Sequence, residues 1–130
     1  MNHATREGDV VLEDGKALFL QIAEMVENSI IDGSLPEEEQ APSSNELAAF
    51  HRINPATAAK GLNQLVTDGI LYKKRGIGLF VTQGARDALR LRRRDRFARQ
   101  YIDPLVAEAD KLGLDIDEIK TMLEQREGAR

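Results

Sequence analysis

The chain has 130 residues, 42% of them hydrophobic, with no cysteine and a net charge of −4. That length allows one buried core and a short accessory element, not two large domains. Without cysteine there are no disulfides, thiolate zinc sites or thiol nucleophiles, in keeping with a reducing cytoplasm, and no apolar run approaches the roughly 20 residues of a membrane helix.

The charge is segregated along the chain. Residues 1–40 hold 2 basic and 10 acidic side chains, net −8, and residues 103–130 hold 4 and 8, net −4. Between them, residues 41–82 hold 5 and 2, net +3, and residues 83–102 hold 7 and 2, net +5. Salt screens charges over about 10 Å, so local patches govern contact with phosphate, and a basic middle is what a phosphate-facing surface needs.

Met1–Asp9 is polar and has no signal-peptide core. Val10-Val11-Leu12 is a short β-prone run that packs beside the first helix or extends a sheet. From Lys16 to Asp32 the residues Leu18, Ile22, Met25, Val26, Ser29 and Ile30 recur at helical spacing, and Gly33 closes the helix. Phe19 lies off that stripe, open to a tail helix, a partner subunit or an ordinary contact within the chain. Leu35–Ala41 contains Glu37-Glu38-Glu39 and reads as a solvated acidic loop, since consecutive carboxylates in a loop rarely converge on one cation. His3 and His51 have no partners at metal-ligand spacing. No metal or cofactor is expected.

Two helix starts organise the middle of the chain. Ser43 with Glu46 has capping-box spacing, which predicts a helix over about Ser44–Phe50. Asn54-Pro55 is a second start, because Asn accepts backbone N–H groups at an N-cap and Pro at the first helical position loses no needed donor. In that second helix Thr57, Ala58, Gly61, Leu62, Leu65 and Val66 form the packing side, and Asn54, Ala56, Lys60, Asn63 and Gln64 lie on other faces. Asp68-Gly69 ends it. Tyr72, Lys73, Lys74 and Arg75 then lead through Gly76-Ile77-Gly78 to Leu79-Phe80-Val81, two β-prone runs around a glycine turn. Short helix, turn, second helix and basic hairpin make a winged helix-turn-helix. Ser43 is explained as a cap and has no base near it, and Gly76-Ile77-Gly78 lacks the third glycine and following helix of a nucleotide loop, so enzyme chemistry is not expected.

This segment resembles the DNA-binding domain of the GntR family of bacterial transcription regulators. The resemblance is carried by Gln21-Ile22, Ile31 with Gly33-Ser34-Leu35, Pro42-Ser43, Glu46-Leu47-Ala48, Asn54-Pro55 with Thr57, Leu65, Gly69, and Arg75-Gly76 through Gly78 to Phe80-Val81. It covers about half the chain. Asn54-Pro55 and the short tail are similar to the small YtrA-type subfamily. The chain departs from the family at Ala41, where Leu is usual, at Asn45, and at Glu37-Glu38, which replace a Pro-Gly turn, so an operator sequence does not carry over.

After Gly84 a long helix carries Ala85, Ala88, Leu89 and Leu91, then Phe97, Ala98, Tyr101, Ile102, Leu105, Val106, Ala109 and Leu112, ending at Gly113. Pro104 removes the donor to residue 100, which predicts a kink near Gln100–Asp103 or a break. Asp115 with Glu118 starts a last helix, with Ile116, Ile119, Met122 and Leu123, to about Gln125. A hairpin of two amphipathic helices encloses its apolar faces poorly, so Phe97, Tyr101, Ile102, Leu105, Ala109, Leu112, Ile119 and Leu123 are expected in a dimer interface, the other option being that both helices fold back on the head. The arginines between Arg86 and Arg99 surround their helix. Arg90, Arg93 and Arg94 suit flanking phosphates, and Arg92, Arg96 and Arg99 suit ion pairs.

The expectation is therefore a mainly α protein with a small β-hairpin wing: a winged helix-turn-helix head over residues 1–83 and a helical dimerisation tail over 84–130. Its expected partners are a double-stranded DNA operator with inverted repeats and a second copy of itself, with no membrane. Asn54, Pro55, Ala56, Thr57 and Lys60 lead the recognition helix into a major groove, Ser43, Ser44 and Asn45 hold a phosphate or base edge, and Lys74, Arg75 and Gly76 bring the wing to a minor groove. The resemblance implies a repressor controlling a transporter operon. The rival reading is a winged helix that assembles with other proteins, its basic wing incidental. A further option, for which the sequence shows no site, is an unidentified small molecule between head and tail that releases the DNA.

Overall fold

A computed structural model describes residues 17–128. His3 and the β-prone run Val10–Leu12 lie outside the described residues. The described chain forms two compact units, one ending at Arg90 and one starting at Leu91.

The first unit opens with α1 (Leu18–Asp32), whose Gln21, Ile22, Ala23, Val26 and Ile30 are buried and whose end is closed by Gly33 at φ 88°. α2 (Ser44–His51) begins with the complete capping box: Ser43 Oγ accepts the Glu46 N–H at 3.1 Å and Glu46 Oε1 accepts the Ser43 N–H at 2.9 Å. The Ser43 N–H and then the Ser43 side-chain hydroxyl hold the Glu46 carboxyl below its ordinary range. α3 (Pro55–Thr67) starts where Asn54 Oδ1 accepts the Ala56 N–H at 2.8 Å. Its Ala58, Gly61, Leu62 and Leu65 pack on α1 and α2. Strands β1 (Leu71–Lys74) and β2 (Gly78–Val81) pair antiparallel, Leu71 opposite Val81 and Lys74 opposite Gly78. Ile22, Ile30, Leu65, Leu71, Val81 and Leu89 are the largest fully buried side chains, so one core joins the helices to the wing.

At Gly61 α3 packs directly against the backbone of α1. A Cβ there would lie 2.7 Å from the Phe19 carbonyl oxygen and 3.1 Å from Ile22 Cγ2. A backbone oxygen cannot step aside without moving α1, so Gly61→Ala is expected to lower stability by about 1–3 kcal/mol despite the better helix propensity of Ala. The urea midpoint checks it, and a midpoint at or above that of the parent protein contradicts the close approach.

The acidic loop exposes Glu38, Glu39 and Gln40 to solvent as expected, and its backbone is in addition tied to the wing. The Glu38 N–H donates to the Val81 carbonyl at 2.8 Å, the Val81 N–H to Glu39 at 3.0 Å, and the Ala41 N–H to Leu79 at 2.8 Å, with Gln40 bridging to Phe80 as an extra antiparallel rung. Gln40 Nε2 also donates to the Ile77 carbonyl at 3.1 Å. The backbone donors and acceptors on the open side of β2 need partners, and this loop supplies them whatever its side chains prefer.

The second unit continues the helix that begins at Ala85, α4 (Ala85–Phe97). A π-helical turn over Ala98–Ile102 follows, in which the Asp103 N–H donates to the Ala98 carbonyl. Pro104 cannot donate to Gln100, and the turn widens there instead of breaking. α5 (Asp103–Leu112) ends at Gly113, φ 70°. α6 (Ile116–Gly128) starts with the second capping box, Asp115 Oδ1 accepting the Glu118 N–H at 2.9 Å and Glu118 Oε1 accepting the Asp115 N–H at 3.0 Å. It runs three residues beyond the expected Gln125. Among the described residues no helix is long and apolar enough to cross a membrane.

Candidate nucleic-acid interface

The periodicity that buries one side of α3 turns Ala56, Lys60, Asn63 and Thr67 outward, and all four are exposed. α2 presents Ser43, Ser44 and Asn45 at its start, and between them, α3 and the wing lies a groove of about 230 Å³ lined by Ser43, Ser44, Asn63, Ile77 and Gly78. Gly78, at φ 148°, lies against Gln40: a Cβ there would come 2.5 Å from Nε2, the movable end of that side chain. The wing tip, Arg75-Gly76-Ile77, is exposed, and Gly76 has φ 76°, which a residue with a side chain adopts only at a cost. Ile77 is 63% exposed. Stem, tip and helix face thus form one surface made from three parts of the sequence.

The polar groups on that surface have different degrees of freedom. Ser43 Oγ and Asn54 Oδ1 already accept backbone N–H groups, so what Asn54 still offers is its amide NH₂. Ala56 and Pro55 are exposed and contribute shape, and Thr57 is half-buried, its N–H donating to the Asn54 carbonyl at 3.0 Å. The Lys60 ammonium lies 4.1 Å from the centroid of the Phe19 ring. That resolves Phe19 as a contact within the chain and gives Lys60 a resting position on α1. Lys74 is held in the same way, 4.1 Å above Phe80 and 6.0 Å from Tyr72, whose rings face each other across the hairpin at 6.1 Å. Arg75 at the tip remains exposed.

Asn63 has no part in the expected site, although it lies seven residues after Ala56 and three after Lys60, a spacing that alone places it on the same stripe. His51 is buried at the end of α2, edge-on to the Phe50 ring at 4.8 Å, and its Nδ1 has no hydrogen-bond partner. Among the described residues no group of three His, Asp or Glu side chains converges as a metal site would require.

The second unit offers a different surface. Phe97, Tyr101, Ile102, Leu105, Leu112 and Leu123 are all exposed, Tyr101 by 57%, and Phe97 and Tyr101 lie ring to ring at 5.6 Å. Ile119 is half-buried. Ala109, expected on the same face, is 6% exposed within a single chain.

Known proteins share the sequence pattern and the fold of this chain. The family described as bacterial regulatory proteins, gntR family, matches residues 4–81, a segment that ends with the wing. The uncharacterised HTH-type transcriptional regulator YhcF of Bacillus subtilis (strain 168) is 28% identical over 120 residues, 89% of this chain and 98% of that protein. The HTH-type transcriptional repressor YtrA of the same strain is 21% identical over 108 residues, 83% of this chain and 82% of its own length. Among solved structures, a GntR-family transcriptional regulator from Bacteroides thetaiotaomicron superposes with a TM-score of 0.73 at 30% identity, over 87% of this chain and 98% of that one.

Proposed function

We propose, for a chain that belongs to the gntR family of bacterial regulatory proteins, that it is a cytoplasmic repressor of the YtrA-like kind which binds an inverted-repeat operator as a homodimer. It is a DNA-binding transcription regulator with a winged helix-turn-helix, not an enzyme. The observation that carries the finer reading is the continuous surface of α3, the start of α2 and the basic wing tip, set on the part of the chain where positive charge collects. In this reading α3 enters a major groove with Ala56, Thr57, Lys60 and Asn63 toward the bases. Pro55 fixes its entry angle, and Ser43, Ser44, Asn45 and the Asn54 amide hold backbone phosphate. Arg75 follows Gly76 into the neighbouring minor groove, with Lys74 on the phosphates beside it.

The tail supports the dimer. The exposed side chains from Phe97 to Leu123 form an apolar face with no cover in one chain, and a symmetric partner would bury it on both copies at once. The match to YtrA, 21% identical over 83% of this chain, supports the subfamily. By resemblance, a transporter operon, including the regulator's own gene, is the target.

Selecting bound duplexes from a random pool tests this directly, with an inverted repeat as the expected product. No binding to any duplex at low salt below about 100 µM, where purely electrostatic binding sets in, would favour the protein-interaction module. Lys60→Ala adds a finer test. Because its ammonium rests on Phe19, it reaches DNA only as a mobile cation, and its loss is expected to weaken selected and random duplexes alike while lowering the salt slope by about one counterion. Loss of discrimination with random binding untouched would make Lys60 a base reader.

A further inference from the structure

The wing ends in an apolar side chain. Ile77 is 63% exposed at the tip of the hairpin, directly after Lys73-Lys74-Arg75 and between Gly76 and Gly78. Cations at such a tip suit a phosphate-facing surface, whereas a branched hydrocarbon left in water there contributes nothing to the core of the head. Ile77 also lines the groove shared with Ser44 and Asn63, which places it at the rim of the DNA-facing surface.

The backbone that carries Ile77 is held on both sides. Its N–H donates to the Lys74 carbonyl at 3.0 Å and closes the turn, and its carbonyl accepts Gln40 Nε2 at 3.1 Å from the loop before α2. Gln40 is itself bridged to Phe80, and its side chain lies against Gly78, so the brace is anchored beside β2. The Lys74 ammonium rests 4.1 Å from the centroid of the Phe80 ring, back along the hairpin. What the braced tip presents outward is Arg75 and Ile77.

A minor groove distinguishes G·C from A·T by the guanine N2 amino group on its floor. A branched alkyl group meets that amino group as an obstacle and covers a donor that is left without an acceptor. On an A·T floor it meets no such group, and apolar side chains of this kind do contact base edges in minor grooves. We propose that Ile77 is a specificity-determining residue that selects A·T pairs beside the half-site by excluding the guanine amino group, and that Gln40 is the residue that positions it. The assignment rests on the minor-groove reading of the wing given above and is independent of the dimer.

The full-length protein is tested on duplexes that carry one half-site recovered by selection, with the pairs under the wing set to A·T, G·C, inosine·C or diaminopurine·T. Inosine·C keeps the major-groove groups of G·C without the amino group, and diaminopurine·T adds the amino group to A·T. Protection of adenine N3 from methylation, on the duplex with A·T flanks, locates the wing. The parent protein is expected to bind the A·T and inosine·C duplexes alike and the other two about tenfold more weakly. In Ile77→Ala all of them are expected to come within about twofold of one another, with the salt slope unchanged because Arg75 is still present. Ile77 is exposed, so this variant tests the contact without opening the core. Gln40→Ala keeps Ile77 on a tip without its brace, and the preference is expected to fall to about threefold. A loss of stability alone would weaken every duplex equally and leave that ratio unchanged, which would remove Gln40 from the assignment. A full preference surviving in Ile77→Ala overturns the proposal, as does a parent protein that protects adenine N3 yet binds all the duplexes alike. Binding without any protection of adenine N3 overturns the minor-groove reading of the wing, and the role of Ile77 with it.

Discussion

Cutting the chain after Arg90 is expected to leave a folded head that sediments as a monomer and binds an inverted repeat about 100-fold more weakly than the full chain. The position of the cut matters. It retains Gly84 and Arg86, which donate to Glu37, and Ala85 and Leu89, which are 3% and 1% exposed in the core of the first unit. It removes Phe97, Tyr101, Ile102, Leu105, Leu112 and Leu123, the apolar face assigned to the partner subunit. A dimer holds its second head at high effective concentration next to the second half-site, and a monomer must recruit that head from solution. Affinity for a single half-site should therefore be nearly unchanged, which separates lost avidity from a damaged reading surface. A truncated head that remains dimeric at micromolar concentration would place the interface in the head. A cut after Gln83 is expected to behave differently, giving a poorly stable head, since it opens the core where Ala85 and Leu89 pack.

Leu89→Ala is expected to cost about 2–5 kcal/mol of stability, the range for emptying a buried leucine site that cannot collapse. Leu91→Ala, two residues on and 64% exposed, should change the stability of the head by less than about 0.5 kcal/mol. Denaturant midpoints measured on both variants in the full-length chain decide it. Equal effects would mean that α4 does not enter the core. The contrast is steep because both residues lie on one unbroken helix, and only packing against the head distinguishes them.

These residues also show where reading the sequence stops. Pairs within a few positions were legible. Ser43 with Glu46, Asn54 with Pro55 and Asp115 with Glu118 start their helices where their spacing says, because a cap is a bond between a side chain and a backbone three residues or fewer away. Pro104 marked the irregular turn before α5 for an equally local reason, a missing N–H. The buried side of α3 and the Ile22, Val26 and Ile30 line of α1 followed from periodicity, whereas the burial of Gln21 and Ala23 did not, and the winged helix-turn-helix followed from the order of those elements.

What the tertiary structure decided involves partners far apart in sequence, or a choice between faces that composition leaves open. α2 ends at Arg52 in the left-handed region, φ 57°, with no glycine to announce it, because the turn into α3 must be short enough to pack both helices on one core. Three consecutive glutamates gave no sign that Glu37 would cap α4 or that the backbone beside it would pair with β2. Lys60 and Lys74 read as free cations in sequence and rest on aromatic rings supplied by α1 and β2. Ala109 and Leu89 each carry an apolar side chain on a long amphipathic pattern, and being buried within one chain sets both apart from exposed neighbours such as Leu91 and Tyr101. The sequence by itself determined the elements, their order and the stripe that α3 turns outward, since those depend on interactions within about one helical turn. Which side chains remain available to DNA or to a second subunit was decided only when distant segments met, because availability is whatever packing and hydrogen bonding leave unused.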